Sequence, residues 1–192
     1  MFNFNQRLHE IHGVVLAESQ ELTAEQKQRD VYEAHRHRIF SVSYYMTANE
    51  VEAECILAAT FIQAFSMNSQ PDAQDVDEAL LAQLEQRFLL APTVAAMPDR
   101  GIALQHGQVR RTDLEEAVAV LPARERLVFL LHDVEGYFLG KVGALLGSDE
   151  HEVQKTLISA RIRMRNALCI LRMRNTVPQQ KSDMTQDIAV GF

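Results

Sequence analysis

Three groups of residues have side chains and spacing that could do chemistry. In the first, His9-Glu10-Ile11-His12 brings two imidazoles and a carboxylate close together. A zinc-protease helix needs two residues between the Glu and the second His, so that both imidazoles share a face at a four-residue interval. The spacing here is one residue short, which predicts an ordinary amphipathic N-terminal helix and no metal. His35 and His37, two apart, point in different directions on a helix and read with Arg36 and Arg38 as a small basic surface cluster. The second group is Cys55 and Cys169. They lie far apart in apolar helical stretches, the setting of small buried thiols, with neither a disulfide framework nor a zinc-type pair. The third group is Gln154, Lys155, Thr156, Ser159, Arg161 and Arg163, hydrogen-bonding and cationic side chains gathered in one short stretch near the end of the chain.

No Ser-His-Asp or Cys-His arrangement is recognisable, and no Gly-rich loop follows a strand to cradle a phosphate. The chain therefore reads as non-enzymatic, with no cofactor, metal or small-molecule substrate. Its formal charge of -7 excludes binding to nucleic acid through bulk positive charge, so any DNA contact must be local. Met1 to Arg7 lacks a basic start followed by an apolar run, and no uncharged span approaches the roughly 20 residues that cross a bilayer. A cytoplasmic protein without a membrane segment is expected.

The elements that must position these side chains follow from apolar periodicity. Few Gly and Pro, short β-branched runs and apolar residues at helical spacing predict an all-α chain of two small helical domains. Residues 1–22 form an N-terminal extension. In the first domain, 23–90, a helix opens at Thr23 and carries Val31, Ala34, Ile39, Val42 and Tyr45. A break at Thr47-Ala48-Asn49 leads to a second helix with Val51, Cys55, Ala58, Phe61 and Phe65 on its stripe. A third runs from about Asp77 to Leu90, capped by Asp77 or Asp75, with Asp77, Glu78 and Glu85 on its surface. Pro92, Pro98, Gly101 and Gly107 punctuate a linker over 91–110. In the second domain, 111–175, Thr112 or Asp113 caps a helix whose inner face is Leu114, Ala117, Val118 and Leu121. Pro122 opens the next helix, to His132, and Gly136 closes it. Phe138 to Leu146 stops at Gly147, a left-handed C-cap, and Ser148 or Asp149 caps a last helix to about Asn175. A polar tail, 176–192, has no core-building pattern.

Val142, Leu145, Leu146, Gly147, Val153 and Leu157 have the arrangement of a helix-turn-helix, in which a tight turn sets a second helix into the DNA major groove. The surrounding residues carry a resemblance. Leu121-Pro122-Ala123-Arg124-Glu125-Arg126, then Phe129-Leu130-Leu131 and Asp133-Val134-Glu135-Gly136-Tyr137, with Leu146-Gly147, Val153 and Ala160-Arg161 at matching spacing, are similar to region 4 of bacterial RNA polymerase sigma factors. The type resembled is the small extracytoplasmic-function class of the sigma-70 family. Val31-Tyr32 to Tyr45, then Glu52-Ala53-Glu54, Phe61, Ile62, Ala64 and Phe65 resemble region 2, extending the likeness from about Val31 to Met173. The resemblance implies a transcription initiation protein that binds core RNA polymerase and promoter DNA, with an anti-sigma factor as a further candidate partner. It places Gln154, Lys155, Thr156, Ser159, Arg161 and Arg163 on DNA, with bracing of the domain an equal alternative for Arg161, and Glu52, Glu54 and Gln63 on the polymerase.

The contact surfaces depart from that pattern. Gln154, Lys155 and Thr156 stand where Lys, Ser and Arg are usual, Ser159 replaces an Arg, and Glu150 and Glu152 bring negative charge near the groove-facing end. Cys55, Ala58 and Ala59 occupy positions usually acidic or amide. The promoter-melting position, normally basic and aromatic, is taken by Asp77 to Phe88, and the chain has no Trp. Stacking on unpaired bases, worth about 1–3 kcal/mol per base, lacks its side chains. The alternative is thus a degenerate sigma-like regulator or protein-interaction module without independent promoter melting. A dimeric repressor has only Leu168 to Met173 as a dimerisation segment.

Overall fold

Every regular element in the computed structural model is a helix; residues 4–91 and 109–176 are described, with side chains from 24 to 91 and 109 to 174. Helix α1, Phe4–Thr47, runs unbroken through Thr23, so no helix starts there. Its end matches the expected break. Ala48 takes a left-handed φ of 54°, and the Asn49 side chain accepts from the Glu52 N–H at 3.1 Å, starting α2, Glu50–Met67. Helix α3, Ala73–Glu85, begins four residues earlier than expected because Asp72 and Asp75 form a reciprocal capping box. That shift turns Asp77 from a cap or surface residue into an interior one, on the face of Val76, Leu80 and Leu84.

The second half contains α4, Arg111–Ala119; α5, Ala123–Phe129, continued by a π-helical turn at Leu130–Val134; α6, Leu139–Leu146; and α7, Glu150–Thr176. Neither Thr112 nor Asp113 caps α4. Arg110 holds the cap position, and its guanidinium donates to the Asp113 carboxylate at 2.8 and 3.1 Å, drawing it inside. Ala117, Val118 and Leu121 face the core as expected, but Leu114 is 40% exposed. Pro122 starts α5, and Gly136, with φ 74°, ends the turn that follows.

Burial of large aliphatic side chains, about 1.5–3 kcal/mol each, assembles these helices. Ile39, Val42 and Met46 of α1 meet Ile56 and Ala64 of α2 and Val76, Leu80 and Leu84 of α3. The same continuous cluster extends through Val118, Leu127, Val128, Leu130 and Leu131 to Val142, Val153 and Leu157. Helix α1 packs on α4, α5 and the π turn, and α3 packs on α6. The two halves therefore share one core. A smaller cluster of Ala117, Leu168 and Leu171 holds the far end of α7 on α4.

Two expectations change here. Cys169 is buried, but Cys55 is exposed on α2 in a row with Val51 and Ile62, which are 70% and 71% exposed. The buried row is Ala53, Ile56, Thr60, Phe61 and Ala64. Helix α2 is apolar around most of its circumference, so periodicity alone does not decide which row turns inward. Most of the expected linker, 92–108, and the tail from 177 lie outside the described residues, as do the side chains of His9 to His12. Among the described residues no helix is long and apolar enough to cross a membrane.

Candidate nucleic-acid interface

The turn between α6 and α7 is built backbone first. Gly147, at φ 60°, ends α6 in the left-handed region, the Ser148 N–H donates to the Gly143 carbonyl at 2.9 Å, and the Asp149 carboxylate accepts from the Glu152 N–H at 2.8 Å. The approach is close enough that a Cβ on Gly143 would lie 2.7 Å from the Ser148 carbonyl oxygen. Val142 and Val153, both under 2% exposed, lock the two helices together with Leu157.

This packing divides the six candidate DNA-contacting residues. Gln154 and Lys155 point outward from the first turns of α7 and are exposed, next to exposed Glu150 and His151. Thr156 is half-buried and donates back to the Glu152 carbonyl at 2.9 Å. Ser159 and Arg163 both donate to Glu125, at 3.1 and 3.2 Å. Arg161 makes two hydrogen bonds to Asp133, at 2.9 and 2.5 Å, and so braces α7 to the π turn. The outward charge at the start of α7 is one lysine among acids.

Arg124-Glu125-Arg126 has a role that the apolar pattern does not reveal. Glu125 is 2% exposed and is the acceptor around which α7 is fastened. Arg124 donates to the Leu90 carbonyl at 2.9 Å and to the Ser148 hydroxyl, linking the end of the first half to the helix-turn-helix turn. Arg126 donates to the carbonyls of Met46 at 2.7 Å, Leu121 at 3.0 Å and Ala119. Burial holds its pKa below the usual guanidinium value. The signal in the sequence is alternating charge set directly against Leu127 and Val128.

No protein-family model matches this chain, and no curated protein matches it.

The second polar centre joins the halves. Asp77, 3% exposed, accepts from Lys141 Nζ at 2.8 Å, from the Tyr137 hydroxyl at 2.8 and 2.9 Å, and from Arg38 Nη1. Arg38 also donates to the Tyr137 hydroxyl, and the Lys141 ammonium lies 3.9 Å from the centre of the Tyr137 ring. Burial pushes the Tyr137 phenol well above its ordinary value, so it remains a donor. Arg38 thus belongs to a buried ion cluster and not to the solvated basic surface expected of it. His35, half-buried, has Nδ1 3.3 Å from Arg38, while His37 is exposed.

Of the candidate polymerase-facing residues, Glu52 and Glu54 are exposed at the start of α2. Gln63 is half-buried and accepts from Gln83 of α3 at 2.8 Å.

Proposed function

We propose that this chain is a sigma-factor-like transcription protein of the cytoplasm, which binds core RNA polymerase and approaches promoter DNA through α6 and α7. The observation that carries the reading is the turn: a left-handed Gly147 and an Asp149 cap set Val153 into the core and turn Gln154 and Lys155 outward from the leading end of α7. That is the disposition by which a recognition helix enters a major groove. Glu52 and Glu54 offer an acidic surface to the polymerase, and an anti-sigma factor remains a candidate partner. Mixed with core polymerase, the purified protein is expected to co-elute in gel filtration and to support a transcript from its own upstream region. Absence of co-elution would remove the sigma reading.

The second reading, a sigma-like interaction protein without promoter melting, is favoured by one observation. Helix α3, in the melting position, spends Asp77 on the contact between halves and presents Glu78 and Glu85 outward, a surface that repels phosphate. Co-elution without a transcript supports it. A dimeric repressor loses ground because Leu168 and Leu171 are already buried against Ala117.

A further inference from the structure

Three donors from three parts of the fold converge on one carboxylate: Arg38 from α1, the Tyr137 hydroxyl from the connection before α6, and Lys141 from α6 itself. Arg38 and Lys141 both face the Asp77 carboxylate, and the Lys141 side chain is 40% exposed, so solvent and solutes reach it. Lys141 and Tyr137 also sit on the first helix of the helix-turn-helix and its approach, the part that crosses the DNA backbone when the second helix is in the groove. Such a cluster of cations and a hydroxyl suits a phosphodiester as well as a carboxylate.

We propose that Asp77 is an internal stand-in for a DNA phosphate: it clasps α3 to α6 and occupies Lys141 and Tyr137, which grip the DNA backbone once the clasp opens. The inference rests on the DNA-binding reading above. Two features of the seam suit it to opening. A buried ion cluster is a weak net stabiliser of the seam, because the cost of desolvating its charges offsets much of their Coulombic attraction. Beside Asp77, between Leu80 and Leu84 of α3 and Leu127, Leu131 and Leu145 across the seam, the packing leaves a cavity with room for about one water. Glu135, which also feels the charge of Arg38, is held by burial above its ordinary carboxyl pKa.

The test uses the full-length protein and its Asp77→Asn variant, which keeps the side-chain shape and removes the charge. Helical content by circular dichroism is expected to stay constant, while the scattering radius and amide exchange in α3 and α6 increase. Affinity for a duplex of about 30 base pairs should rise about threefold to tenfold at low salt, with a salt slope steeper by about 0.9, one phosphate contact. Adding Lys141→Ala should abolish that gain. If Asp77→Asn fails to fold, Tyr137→Phe, which removes one donor to Asp77, should raise the scattering radius and the amide exchange in α3 and α6 by less, and no change in either overturns the clasp. An Asp77→Asn protein that is helical but no more open overturns the clasp. So does a gain in affinity that survives Lys141→Ala. Wild-type binding with no gain in the variant refutes the phosphate role and leaves the DNA reading intact. Opening with no DNA binding by either form refutes both DNA statements and upholds the clasp.

Discussion

Lys155 and His35 are the residues whose surroundings give the most direct predictions. Lys155 is the exposed cation among the leading residues of α7, whereas Ser159, Arg161 and Arg163 are already bonded to Glu125 and Asp133. On the proposed DNA-binding reading, Lys155→Ala should weaken duplex binding and reduce the salt slope by about 0.9 without changing stability, measured by fluorescence anisotropy across a salt series. An unchanged slope would take α7 away from the DNA. His35 gives a pH prediction. Burial, then the neighbouring Arg38, lowers its pKa from 6.5, so the fold favours the neutral imidazole. Below 6.5 the unfolded chain takes up a proton that the folded chain refuses, and stability falls with pH until the lowered folded value is passed. Glu135 acts in the opposite sense: its pKa is raised by burial, so the folded chain protonates first as pH falls, a gain that grows toward the ordinary value of 4.5. His35→Gln should flatten the fall in urea midpoint from about pH 7.5 to about pH 5.5; parallel profiles for the two proteins would refute the assignment.

The helix-turn-helix turn is where local sequence and tertiary need coincide. Asp149 satisfies a backbone N–H at the start of α7, and its replacement by Ala should cost about 1 kcal/mol in chemical denaturation. Gly143 is present because of contact and not because of its own φ. A methyl there would press on the Ser148 carbonyl, and Gly143→Ala should destabilise by about 1–3 kcal/mol. Gly140 is the control, since its added Cβ would meet only the end of Glu150 at 3.7 Å, and Gly140→Ala should be neutral or stabilising. Equal effects at both glycines would mean that close approach is not what the turn requires. Element ends with strong stereochemical signals, Asn49, Pro122, Gly136, Gly147 and Asp149, were all legible in the sequence. The start of α3 was not. The cap is Asp72, ahead of both expected candidates, Asp75 and Asp77, and the choice among these acids depends on which register buries Val76, Leu80 and Leu84.

At the scale of the whole molecule, the shared core has a thermodynamic consequence. Apolar contacts run without interruption from Ile39 to Leu157, and Arg124 and Arg126 tie backbone carbonyls of the first half to the second. The described residues should unfold in one transition, with far-ultraviolet and aromatic signals coincident in urea, and Leu127→Ala should lower its midpoint without splitting it. Two separate transitions would mean that the halves fold independently and the contact between them is weak.

The sequence by itself determined that the chain is helical, where most helices end, and which turn orients α7, because capping groups, glycine φ angles and 3.6-residue periodicity are local properties. Only the tertiary structure decided the inward row of α2, the exposure of Cys55, the burial of Asp77 and Glu125, and the pairing of Ser159, Arg161 and Arg163 within the chain. Each of those depends on partners 20 to 60 or more residues away, and a charged side chain carries no local mark of whether its counter-ion will be solvent or another helix.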